Sequence, residues 1–205
     1  MSIRWKGALE DFSQLEQGQL PQQAVQVEEP DDLEEVLRQS LKTNQGILIT
    51  SLLLIIVRLV IVPAHASYEL GMSLFVFFSG TISIYFLLMF VHEWLHAICY
   101  PIKSEKQIWI YQFQALLVHC SAPVSKQRFI FMLLLPVTVL GFIPFVAWLF
   151  LAPYMSFGVS LIWMIESWLM IFGGIGDLYN LRNIVAQVPK SASVFNYGLH
   201  TFWLL

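Results

Sequence analysis

The chain has 205 residues, of which 57% are hydrophobic and only 12% charged, and its mean hydropathy is +0.67. That balance excludes an ordinary soluble domain and predicts a chain built for a bilayer. A net charge of −3, with 11 Lys and Arg scattered rather than run together, makes nucleic acid a poor candidate partner. The two cysteines, Cys99 and Cys120, lie in no CxxC pair, which excludes a disulfide framework and a cysteine-based zinc ribbon.

Residues 1–45 form a polar N-terminal region that holds nine of the 14 acidic residues. So long a polar leader does not fit a secretory signal, so the first apolar run is expected to be an anchor. Within the leader, Asp31 or Asp32 can cap a short amphipathic helix in which Leu33, Val36, Leu37 and Leu41 recur at helical spacing, with Glu34 four residues before Arg38.

A spanning helix needs about 20 apolar residues. Four segments qualify, at approximately 46–62, 71–100, 128–152 and 154–184. Pro136, Gly141 and Pro144 predict a kink in the third. Between the second and third, Ile108 to Val118 is too short to span, and its alternation of Trp109, Tyr111 and Phe113 with Gln112 and Gln114 predicts an extended or re-entrant stretch at the membrane surface. Arg4, Lys6, Arg38 and Lys42 precede the first segment, and Lys103, Lys106, Lys126 and Arg128 lie in the central loop. Arg182 and Lys190 close the last segment, whereas the stretches around His65 and Pro153 hold no basic residue. By the positive-inside rule both termini and the central loop are cytoplasmic, in a multi-pass cell-membrane protein.

The second segment ends in His92-Glu93-Trp94-Leu95-His96, an HExxH motif. Residues four apart share a helical face, so both imidazoles can reach one zinc ion while Glu93 stands beside it. In such a site the glutamate takes a proton from the attacking water and returns it to the leaving amine. Three ionisable groups within one turn of a membrane helix are expensive unless paired or metal-bound, which favours a site over buried core histidines. A catalytic zinc normally takes a third protein ligand. The candidates are His65, His119, His200, Glu166 and Asp177. Counting about 1.5 Å per residue from the outer ends, His92 and Asp177 reach the same depth, roughly 30 to 35 Å down. Glu166 is about three turns shallower and suits a structural pair with Arg58. His119 reads as a surface histidine and Cys99 as a packing residue. Gly173, Gly174 and Gly176 suit close packing of a helix end against the metal helix, and a small-residue seam followed by a capping aspartate would give the same pattern. Thr81 and Tyr85 share a face with His92, and Asn180 follows Asp177 by one turn, where it can cap a helix end or steady an oxyanion.

The HExxH motif with Gly173-Gly174-Ile175-Gly176-Asp177-Leu178-Tyr179-Asn180 resembles a bacterial family of zincin peptidase membrane proteins, over roughly residues 70–189. The pattern is also similar to the site-2 intramembrane zinc metalloproteases, although no Asn-Pro element precedes Asp177 and leucine follows it. The resemblance implies His92, His96 and Asp177 as ligands of Zn2+ and Glu93 as the catalytic acid-base. The expected architecture is an all-α polytopic membrane protein of about four transmembrane helices. Its parts are an N-terminal region 1–45, a transmembrane metalloprotease-like domain 46–189 and a C-terminal tail 190–205. The expected function is a membrane-embedded zinc metallopeptidase cutting a peptide or membrane-protein substrate near the cytoplasmic face. A non-proteolytic metal-binding adaptor or transport component is the alternative, and no oligomeric state is expected over another.

Overall fold

The computed structural model describes residues 2–15, 19–61, 74–111 and 115–205. Four helical stretches are long and apolar enough to cross a membrane, namely Leu33–Ile61, Phe77–Cys99, Lys126–Tyr154 and Phe157–Gln187. The all-α expectation is corrected by two small sheets, built from seven strands among the described residues.

The leader helix and the first apolar segment are one element, α1 (Leu33–Ile61). Nothing at Gly46 interrupts it, since the position has open space around it and no competing contact. Asp32 caps the start by accepting the Glu35 N–H at 3.3 Å. Arg38 pairs with Glu35, 2.6 Å away, rather than with Glu34. The polar half of α1 docks against the last helix. Asn44 Nδ2 donates to the Ile175 carbonyl at 3.1 Å, and Gln39 Oε1 accepts the Tyr179 hydroxyl at 2.6 Å.

Helix α2 (Leu74–Cys99) carries the HExxH motif in its last turns. The third segment divides into α3 (Lys126–Pro136), a π-helical turn over Val137–Phe142, and α4 (Ile143–Leu151). The π turn falls where Pro136, Gly141 and Pro144 predict a kink. Proline has no N–H to give the turn before it, and one wide turn absorbs the lost hydrogen bond while the helix continues. Gly141 makes room there: a Cβ would lie 2.9 Å from Ile171 Cγ1.

The fourth segment breaks at Gly174 into α5 (Phe157–Gly173) and α6 (Ile175–Gln187). A Cβ on Gly174 would stand 2.7 Å from Val137 Cγ2. The close approach predicted from the glycines is therefore mainly to the π turn. Against α2 the contact is ordinary, with a Cβ on Gly173 falling 3.7 Å from Met89 Sδ.

Strand β1 (Ser2–Leu9) runs parallel to β3 (Glu105–Tyr111), which pairs antiparallel with β4 (Ala115–His119). The expected single extended stretch is thus a hairpin with Ile108 opposite Val118. The second sheet, ordered β2-β7-β6-β5, joins β2 (Val25–Gln26), β5 (Val124–Ser125), β6 (Ser193–Tyr197) and β7 (His200–Leu204). Its C-terminal hairpin turns at Gly198, whose φ of +60° a glycine adopts without strain. Strands from the N-terminal region, the central loop and the tail thus share two sheets at the end of the bundle where α2 and α6 finish.

A single apolar cluster fastens this layer to the helices. It joins Ala97 and Cys99 of α2, Ile108 and Val118 of the first sheet, Phe129, Met132 and Leu133 of α3, Ile184 of α6 and Val194 of β6. Burying a side chain such as Ile or Phe stabilises by about 1.5–3 kcal/mol, so the cluster dominates the positioning of the helix ends. Two cations at the start of α3, buried Lys126 and exposed Arg128, complete it. Arg128 Nε donates to the Cys99 carbonyl at the end of α2, and Lys126 Nζ donates to the Val185 and Val188 carbonyls at the end of α6.

Candidate metal centre

His92 and His96 lie one turn apart on α2 and are both buried, with ring centroids 4.8 Å apart. The break at Gly174 starts a new helix three residues before Asp177, which places that carboxylate in the first turn of α6, where the positive end of the helix dipole favours an anion. Asp177 Oδ2 lies 3.1 Å from His92 Nε2 and 3.3 Å from His96 Nε2. The two Nε2 atoms are 3.1 Å apart. One ligand atom from each residue therefore lies within 4.8 Å of the others, a grouping that could hold a metal ion.

The chemistry of the donor set fits zinc. His96 Nδ1 donates to the Met132 carbonyl at 3.1 Å, which leaves the Nε2 lone pair facing the cluster. Three electron-pair donors converging in a buried place repel one another unless a proton or cation lies among them. Buried Asp177 Oδ2 has no conventional hydrogen-bond donor, only the two imidazole nitrogens facing it. Two imidazoles and one carboxylate are a common catalytic zinc set.

Glu93 is buried beside the triad and not part of it. Its Oε2 accepts the Val118 N–H of β4 at 3.0 Å. Because β4 pairs with β3 on one side only, this N–H belongs to the strand's outer edge. Sequence reasoning missed both backbone partners, Val118 N–H and Met132 C=O. Main-chain groups leave no mark in a residue pattern, and only the prediction of an extended edge after the motif pointed towards the first.

The other candidates lie elsewhere. His119 is not a surface histidine. It is 3% exposed, on the face of β4 that it shares with Leu117 and the cluster of Leu9, Leu15 and Trp109. Neither ring nitrogen has a partner, and burial pulls its pKa down to about 4. His200 sits between Glu29 and Asp31, at 3.6 and 3.5 Å. Glu166 is buried on α5 with neither carboxylate oxygen hydrogen-bonded. The expected pair with Arg58 does not form, since Arg58 Nε donates to the Leu149 carbonyl at 3.2 Å. Thr81 bonds back to Phe77 of its own helix. Asn180 falls inside α6 rather than at a helix end. Cys99 packs in the core, and His65 lies outside the described residues.

A family model described as "putative zincin peptidase" matches residues 85–193, just over half of the chain. No curated protein and no solved structure matches. The matched stretch takes in His92, Glu93, His96 and Asp177, the C-terminal part of α2 and every described helix after it. The chain, with a metal-competent cluster inside that stretch, belongs to this zincin peptidase family.

Proposed function

We propose that the chain is a membrane-embedded zinc metallopeptidase that hydrolyses a peptide bond close to the cytoplasmic face. The observation that carries this reading is the convergence of His92 Nε2, His96 Nε2 and Asp177 Oδ2 beside a buried glutamate that is not one of the three. Zinc, when bound by these residues, would polarise a carbonyl and make water a nucleophile near neutral pH. Glu93 is placed to take the proton of the attacking water and hand it to the leaving nitrogen. His96, fixed from behind by Met132, keeps Nε2 aimed at the cluster. The outer edge of β4 suits an unwound substrate, which would pair with its free backbone groups next to Glu93. Four apolar helices and the gathering of all strands at one end support a multi-pass chain with both termini and the site on the cytoplasmic side.

A specific observation favours a second reading. The Glu93–Val118 hydrogen bond gives the carboxylate a structural use, as it would have in a non-proteolytic metal-bound adaptor or transport component. Glu93→Gln separates the two, because an amide oxygen still accepts the Val118 N–H but cannot relay a proton. The variant should hold zinc like the parent and lose about 10^2-fold or more in hydrolysis of a peptide substrate in lipid nanodiscs. Absence of hydrolysis in the zinc-loaded parent would leave the adaptor reading standing, and hydrolysis by the variant equal to that of an active parent would remove Glu93 as the proton relay.

A further inference from the structure

The chain holds a second polar station, away from the metal, that the hydrolytic machinery does not use. Glu166 is 5% exposed, and neither of its carboxylate oxygens has a hydrogen-bond partner. A buried carboxyl in an apolar helix is costly unless something is arranged to meet it. Its surroundings show what can. Glu166, Met170 and Gly173 recur at i, i+4 and i+7 on α5, and Gly173 abuts Met89 of α2, so this ridge faces α2. One turn before Met89 is Tyr85, within electrostatic reach of Glu166. Two turns after Tyr85 is His92. The helices run parallel here, with Met89 beside Gly173 and His92 beside Asp177. Along the same seam, Tyr85 therefore stands about 10 Å from the metal cluster and Glu166 about 16 Å, three helical turns before Asp177. Tyr85 is half-buried and its neighbours Ile82 and Phe86 are exposed, so the face of α2 bordering the seam is bare for a second helix to lie against.

We propose that Glu166, with Tyr85, binds a basic side chain carried on a membrane-spanning segment of the substrate and so sets which bond reaches the metal. The inference rests on the reading of the chain as a membrane-embedded peptidase. Charge complementarity selects the occupant. One carboxylate and one phenol offer far fewer oxygens than the six or more that a calcium or magnesium ion requires. A lysine or arginine needs one anionic partner, and its aliphatic stem can lie along the apolar seam. A helical substrate lying along α2 would present this residue about seven to eleven positions, two to three turns, on the membrane side of the scissile bond.

The test uses the zinc-loaded full chain in lipid nanodiscs and apolar transmembrane peptides with a single lysine moved one position at a time, against an all-leucine peptide. Binding is read by energy transfer from a labelled peptide to Glu93→Gln protein, so that turnover plays no part. One lysine register should bind about tenfold more tightly than leucine, and Glu166→Leu in the same background should reduce that ratio to about one while leaving the leucine peptide unaffected. Glu166→Gln, nearly isosteric, carries the same expectation should Glu166→Leu not fold. A lysine preference that survives both substitutions overturns the proposal, and so does an equal gain from asparagine in the same register. Cleavage by the parent is scored separately. A Glu166-dependent lysine preference without any cleavage keeps the station and removes the peptidase reading, whereas cleavage with no lysine preference does the reverse.

Discussion

The ring of His96 is held from both sides, by the Met132 carbonyl at Nδ1 and by the His92 and Asp177 atoms at Nε2. This part of the site was legible in the sequence, because an i, i+4 pair of histidines implies a shared helical face whatever surrounds it. Asp177 was legible by depth, by the glycines before it and through the family resemblance. The links that aim these groups were not, since Val118 and Met132 act through their main chains. At this scale the triad makes a sharp expectation: His92→Ala and His96→Ala should each lose stoichiometric zinc in metal analysis of purified protein. His119 supplies a different one. Its buried imidazole titrates near 4, below the ordinary value of 6.5, so the unfolded chain takes up the proton first as the pH falls. Stability is then full above about pH 6.5 and is lost as pH drops towards 4, by on the order of 2 kcal/mol. Thermal unfolding in one detergent should show this loss between pH 7 and pH 4.5, and His119→Leu should flatten the slope. An unchanged slope in that variant would assign the pH dependence to other groups.

Among the helices, hydropathy located all four long segments but not their bends. A run of apolar residues reads the same whether its helix is straight or broken, and only Pro136, Gly141 and Pro144 announced the π turn. The break that matters most, at Gly174, was visible as glycine content, yet its partner Val137 lies on another segment and left no local signal. Two glycines two residues apart now carry opposite expectations. Gly174→Ala should destabilise the protein by about 1–3 kcal/mol and weaken zinc binding, because its Cβ meets Val137 and pushes α6 away. Gly176→Ala meets nothing within 4 Å and replaces a poor helix former, so it should be neutral or stabilise by up to about 1 kcal/mol. Val137→Ala should partly restore Gly174→Ala. Equal melting temperatures for the two glycine variants would contradict this account of the bend.

Across the whole molecule, the strand layer was the least legible feature. Its strands are two to eight residues long, and β1 meets β3 only after two of the four long helical stretches have intervened, and β2 meets β7 only after all four. Local alternation cannot report such pairings, and one hairpin strand was foreseen while the tail hairpin, with its Gly198 turn, was not. The layer matters for orientation, because it gathers the N-terminal region, the central loop and the tail at the metal end. Single cysteines at Met155 and at Ser104 or Ser191 should therefore react oppositely with an impermeant thiol reagent, Met155→Cys labelling from outside intact cells and the other two not. Cys99 and Cys120 are buried, so the background should be low. The reverse pattern would put the site on the outer face.

The most direct test of the central claim, that His92, His96 and Asp177 together hold one zinc ion, is zinc affinity by competition with a chelator, in one detergent and at one pH. The parent should bind one zinc per chain. Asp177→Asn should bind more weakly, Asp177→Ala more weakly still by about 10^2-fold or more, and His119→Ala and Glu166→Gln should bind like the parent. Parent-like affinity in Asp177→Ala, with loss of zinc in His119→Ala or Glu166→Gln, would contradict the account.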